Sequence, residues 1–166
     1  MPDFEFRYLL LGALAIALLV AAFTDIRRRQ IDNWLNGAIA AGAPLYWWAS
    51  GLSLWPGVAW QVGVAILTLV ALAGLFALRA MGGGDVKLLT ALALWIQPLW
   101  FVRLLIGMSL IGGVLTIALG TWHVIRRRKE RLAVPYGVAI SSAALWVLAL
   151  QFVPAFAGSA LTGGAG

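Results

Sequence analysis

Two aspartates stand where an apolar chain has least physical reason to keep them. Asp25 closes an apolar run in the stretch Thr24-Asp25-Ile26-Arg27-Arg28-Arg29-Gln30-Ile31-Asp32-Asn33, and Asp85 ends a glycine cluster in Gly82-Gly83-Gly84-Asp85-Val86-Lys87. The chain holds only six acidic residues in total. A carboxylate beside hydrocarbon is expensive to keep charged, so one that is retained there invites a functional explanation. Two of them together suggest acid/base hydrolysis.

Each motif also has a structural reading. Asp25 falls at the C-terminal end of an expected helix, where the dipole disfavours negative charge, and Arg27, Arg28 and Arg29 could simply neutralise it. Asp32 lies seven residues on, the same face in an unbroken helix. With Asn33 it precedes the apolar run that starts at Trp34 and makes a good N-cap. Gly82 and Gly84 allow backbone conformations closed to residues with a Cβ, and close approach of a neighbour. The alternative is a plain turn with Asp85 capping the next helix. Lys87 reads as an interfacial lysine in preference to a counter-charge for Asp85. Val134-Pro135-Tyr136-Gly137 has a proline suited to the first turn of a helix, an ordinary helix start.

The elements that must position these residues follow from composition. Over 166 residues, 63% are hydrophobic and 11% charged, with mean hydropathy +0.95; soluble domains run near a quarter charged. The chain is therefore expected to be an all-α integral membrane protein, a bundle of about six spans near residues 9–23, 34–48, 55–78, 86–100, 104–124 and 134–156. Residues 1–157 are expected to form one domain, and 158–166, rich in Gly and Ala, a flexible tail. The fourth span is short and breaks at Gln97-Pro98, which implies tilt or a helix that does not reach both faces. Trp34, Trp47, Trp48, Trp55, Trp95, Trp100 and Trp122 fall near the ends of apolar runs, where indoles suit the headgroup zone. No cleavable signal peptide is expected, because the basic cluster follows the first apolar run instead of preceding it.

The net charge of +6 is explained by basic loops between spans and not by nucleic acid. Ten of the twelve basic residues fall on one side of a six-span arrangement, leaving Arg7 and Arg103 on the other, so that face is expected to be cytoplasmic and both termini outside. Asp25 and Asp85 then share one membrane depth. Arg126, Arg127, Arg128, Lys129 and Arg131 read as a topology signal against anionic lipid. Cysteine is absent and histidine occurs once, as His123, which excludes disulfides, thiol nucleophiles and Cys-based zinc sites. No metal site and no cofactor are expected.

Taken together, Asp25 followed by Ile31-Asp32-Asn33, the GxGD motif with Lys87 two positions on, and Pro135-Tyr136-Gly137 before the last span resemble the type IV prepilin peptidases, specifically the small forms that serve tight-adherence (Flp-type) pili. The ordered combination on six spans carries the likeness. One departure is that Asp32 stands where the family usually has proline. The resemblance implies an aspartic protease that removes a short basic leader from prepilins or pseudopilins at the cytoplasmic membrane face. Asp25 and Asp85 would be its catalytic pair, sharing a proton so that one activates water while the other protonates the scissile carbonyl. It also implies a peptidase without the cysteine-bearing insertion and methyltransferase activity of larger relatives. The rival readings are a presenilin-like GxGD protease cutting deeper in the membrane, and a non-catalytic membrane subunit or transporter in which Asp25 and Asp85 pair with Arg27 and Lys87.

Overall fold

Residues 2–126 and 135–162 are described by a computed structural model. Long apolar sequences with few interior breakers leave the backbone one way to satisfy its amides within the segment itself, the α-helix. Six helices are found among the described residues: α1 (Pro2–Arg28), α2 (Asn33–Ala49), α3 (Ala59–Ala77), α4 (Gly83–Ala93), α5 (Pro98–Ile125) and α6 (Tyr136–Thr162). A short π-type turn, Leu54–Val58, leads into α3. Three segments, Glu5–Arg28, Leu54–Ala77 and Pro98–His123, are long and apolar enough to cross a membrane, and Tyr136–Phe152 is a shorter apolar helix. The protein is an all-α membrane bundle.

At its centre is α4. Leu88, Leu89, Leu92 and Ala93 are fully buried, so beyond its first turn, which carries Asp85 and the exposed Lys87, this helix is enclosed by others. It packs on α2, α3 and α6, while α1 packs on α2 and α6, and α5 lies against α6. Large apolar residues of α3 and α5 such as Leu67, Val70, Leu110 and Ile117 face outward, as lipid-facing side chains do.

The fourth expected segment, 86–100, is the helix that does not reach both faces, with bounds that differ from those expected. α4 ends at Ala93 after 11 residues, a rise of about 16 Å against a hydrocarbon core of about 30 Å. Pro98 does not interrupt this helix; it opens α5, where its missing N–H costs nothing. The intervening turn is tolerated because it is buried in protein and its polar groups are matched. Trp47 Nε1 donates to the Leu94 carbonyl at 2.8 Å, and Trp95 Nε1 donates to the Ile39 carbonyl at 2.7 Å. These two indoles are accordingly structural, with Trp95 only 4% exposed and stacked on Tyr46. Trp34, Trp48, Trp55 and Trp122 do face outward.

At the C-terminus, α6 continues through Thr162, so helix covers the first residues of the expected tail; 163–166 lie outside the described residues. So do Arg127, Arg128, Lys129, Arg131 and Val134.

Candidate active site

The end of α1, the start of α2, the end of α3 and the starts of α4 and α6 gather around one open cavity of about 950 Å³. That is the upper end of the range for small-ligand pockets, about 300–1,000 Å³. Both Asp25 and Asp85 line it. Two crossings separate them in sequence, and the bundle returns them to the same end.

Asp85 sits in the first turn of α4, where negative charge suits the helix dipole. Gly82 is the N-cap residue and has no side chain to cap with; Asp85, at the third helical position, reaches back to the Gly82 N–H, one half of a capping box. Burial pushes the Asp85 carboxyl up to about 6, the nearby Asp25 charge pushes the same way, and the Gly82 N–H opposes both.

Asp25 lies in the last turn of α1, 6% exposed. Its own helix presents it with the negative end of a dipole, but a second helix presents the positive end. The Val138 N–H of α6 donates to Asp25 Oδ2 at 3.3 Å, and the Gly137 N–H acts on the same carboxyl. The N-terminus of α6 is thus an anion site with Asp25 as its anion. Pro135, Tyr136 and Gly137 are therefore more than an ordinary helix start. A Cβ on Gly137 would stand 2.9 Å from Asp25 Cγ and Oδ2 and 2.9 Å from Ile31 Cδ1, contacts no side chain sustains. Tyr136 also lines the cavity and rests against Gly112 of α5.

The glycine motif works by close approach and not by left-handed backbone. Gly82 is extended, with φ −71 and ψ 142, and Gly83 and Gly84 belong to α4. A Cβ on Gly84 would meet Ile31, including its backbone N and O at 3.4 Å, and one on Gly82 would meet Asp85 Oδ2 at 3.0 Å. Gly83 would touch only the edge of the Phe76 ring, at 3.2 Å.

The left-handed residues are instead two arginines on the cavity wall, Arg29 (φ 54) and Arg79 (φ 56). Each ends a helix. Arg29 N–H bonds the Asp25 carbonyl at 2.9 Å; after α3, Arg79 N–H bonds Phe76 O and Ala80 N–H bonds Leu75 O, both at 2.9 Å. The second pair is a Schellman motif with arginine where glycine is usual.

Asp32 occupies the N-cap position of α2 but its side chain makes no cap bond. Its carboxylate pairs with Arg28 at 2.8 Å, because a cation one turn earlier competes for it. Lys87 is exposed, and its Nζ donates to Asn33 Oδ1 at 2.8 Å; that bond, and not a partnership with Asp85, is its role. Arg27 lies over the Phe23 ring, 4.8 Å from its centroid. Sequence reasoning passed over Asn36, 5% exposed on the inner face of α2, whose Nδ2 donates to the Gly84 carbonyl at 3.3 Å. The available signal was a lone amide among Leu35, Ile39 and Ala43 on the buried face. Among the described residues, no three His, Asp or Glu side chains converge as metal ligands.

No curated protein and no solved structure matches the chain. A profile of the type IV leader peptidase family does, over residues 12–117. That segment is well over half of the chain and contains both cavity aspartates, the glycine motif and the whole of helices α2, α3 and α4. The chain is a member of the type IV leader peptidase family.

Proposed function

We propose that this peptidase is an aspartic endopeptidase of the small, peptidase-only kind, which removes the basic leader from Flp-type prepilins at the cytoplasmic face of the inner membrane, using Asp25, Asp85 and one water. The observation that carries the reading is that both carboxyls line one cavity, close enough for the charge of Asp25 to act on Asp85.

The roles follow from the surroundings. Asp85, which keeps its proton up to about pH 6, is the acid that protonates the scissile carbonyl. Asp25, held by amides at the N-terminus of α6, is the base that takes a proton from water. Attack by the water oxygen on the carbonyl carbon gives a tetrahedral gem-diol; its collapse breaks the C–N bond, with the proton from Asp25 going to the leaving amine and one hydroxyl proton returning to Asp85 as the carbonyl re-forms.

Two features favour this over the rivals. The cavity lies at the ends of the helices, which suits cleavage at the membrane border. Arg27 stacks on Phe23 and Lys87 bonds Asn33, so neither supplies the ion pair that a purely structural role for the aspartates would require.

The test is co-expression with a candidate prepilin and N-terminal mass spectrometry of the product. Asp25→Asn and Asp85→Asn should each lower processing by about 10²- to 10⁴-fold at unchanged membrane abundance. Asp32→Asn should retain substantial activity, since that carboxylate is engaged by Arg28. An active Asp25→Asn enzyme would refute the dyad.

A further inference from the structure

The two aspartates are held by different means. Asp25 is fixed by the N-terminus of α6, whereas Asp85 is fixed by the path of the first turn of α4. What fixes that turn is α2. Four polar bonds join the two helices and their flanks: Lys87 to Asn33, Asn36 to the Gly84 carbonyl, Trp47 to the Leu94 carbonyl, and Trp95 to the Ile39 carbonyl. Only the Asn36 bond reaches the backbone next to Asp85.

Asn36 is costly where it stands. It is 5% exposed, and its Oδ1 is buried with no partner among the described residues. An apolar side chain of similar shape would satisfy the packing of α2 on α4 without burying an orphan acceptor. The amide orientation is set by chemistry, because a carbonyl oxygen turned toward Gly84 O would oppose two acceptors. At the Gly84 Cα, Ile31 is already at contact distance from where a Cβ would be. Gly84 is thus held both by the α1–α2 connection at its Cα and by Asn36 at its carbonyl, one residue before the carboxyl.

We propose that Asn36 is a positioning residue of the peptidase, which places Asp85 against Asp25 by holding the Gly84 carbonyl; this rests on the Asp25/Asp85 dyad. It touches neither substrate nor the reacting atoms. Its loss should therefore appear in the chemical step and not in substrate binding.

The experiment measures kcat and KM for prepilin cleavage by the full-length enzyme in detergent, for Asn36→Leu, Asn36→Asp, Asp85→Asn and Gln61→Leu. Gln61 is the matched control: an equally buried amide with an unpartnered Oε1, on α3 and remote from the first turn of α4. The expected result is that Asn36→Leu lowers kcat at least about tenfold with KM within about twofold, as for an interaction felt only in the transition state, while Gln61→Leu is near normal. Asn36→Asp keeps the shape but can donate to Gly84 O only when protonated, so its activity should recover relative to wild type as pH falls. The charged groups on the elements packed around that contact are Asp25, Arg28, Arg29 and Asp32 at the end of α1 and its connection to α2, Arg79 after α3, and Asp85 and Lys87 of α4, and all are shared with the wild-type reference. If Asn36→Leu fails to accumulate, the Asp variant decides by itself through that displaced profile.

Normal kcat in Asn36→Leu, or a wild-type pH profile in Asn36→Asp, would overturn the positioning role while an inactive Asp85→Asn leaves the dyad standing. An equal loss in Gln61→Leu would also overturn it, by assigning the effect to amide burial in general. An active Asp85→Asn enzyme would remove the dyad and the positioning role together.

Discussion

At the scale of single residues, the distinguishing property of the site is that its two carboxyls live in unlike surroundings. Asp85 holds its proton to about pH 6 where an unfolded aspartate releases it at 3.8. Between those values the folded state binds more protons than the unfolded one, so this residue's contribution to stability declines as pH rises through the window and is constant above it. Asparagine mimics the protonated form. Asp85→Asn should therefore be more stable than wild type at pH 7, by about 2–3 kcal/mol at most, with the difference vanishing below about pH 3.8; thermal unfolding in detergent at several pH values reads this directly, and a difference that grew toward acid would contradict it. The same proton governs rate. kcat/KM should follow a bell whose alkaline limb lies near the Asp85 value of about 6, and EDTA should leave it unchanged.

Single helices carry the next layer of constraint. A helix C-terminus is a poor place for a carboxylate, and α1 ends on one; the arrangement works because α6 begins there and supplies N–H groups to Asp25. The close approach depends on Gly137 having no side chain. Gly137→Ala should displace the Asp25 carboxyl and lower processing on the order of 10²-fold, the penalty of a misplacement near 1 Å, with enzyme abundance in extracted membranes largely kept. In the glycine motif, Gly84→Val should be severe because it meets the backbone of Ile31, while Gly83→Ala meets only a ring edge of Phe76 and should be mild. Similar activities for all three variants, normalised to enzyme level, would mean that these glycines are turn formers and nothing more.

For the molecule as a whole, the six helices among the described residues, with an irregular buried stretch after α4, bring five helix ends to one cavity. Arg29, Arg79 and Lys87 lie at that end, and in the proposed orientation this basic end faces the cytoplasm. Cysteines introduced at Ala80 and Glu5 into this Cys-free chain should therefore behave oppositely in intact cells. An impermeant thiol reagent added outside should label position 5 and spare position 80. Labelling at position 80 would place the active site on the wrong side for a cytoplasmic leader.

Hydropathy and the order of motifs determined much before any coordinates. The membrane class follows from 63% hydrophobic residues, because burial in lipid is the one solvent such a surface tolerates, and Asp25 and Asp85 stand out because charge there is costly. Helix parity placed the two at one end. Other matters were decided by tertiary contact. Periodicity could not distinguish a fourth span from a short central helix, since both are apolar runs; what holds the buried turn that follows Ala93 is the pair of indole bonds, Trp47 to the Leu94 carbonyl and Trp95 to the Ile39 carbonyl, between residues 47 and 56 positions apart along the chain. The reason for glycine at 82, 84 and 137 is likewise invisible locally. Their dihedrals are ones any residue can adopt, and the requirement comes from what lies opposite, Asp85, Ile31 and Asp25. Asn36 shows the limit most plainly: in sequence it is one polar residue in an apolar helix, and only packing places the Gly84 carbonyl in front of its amide.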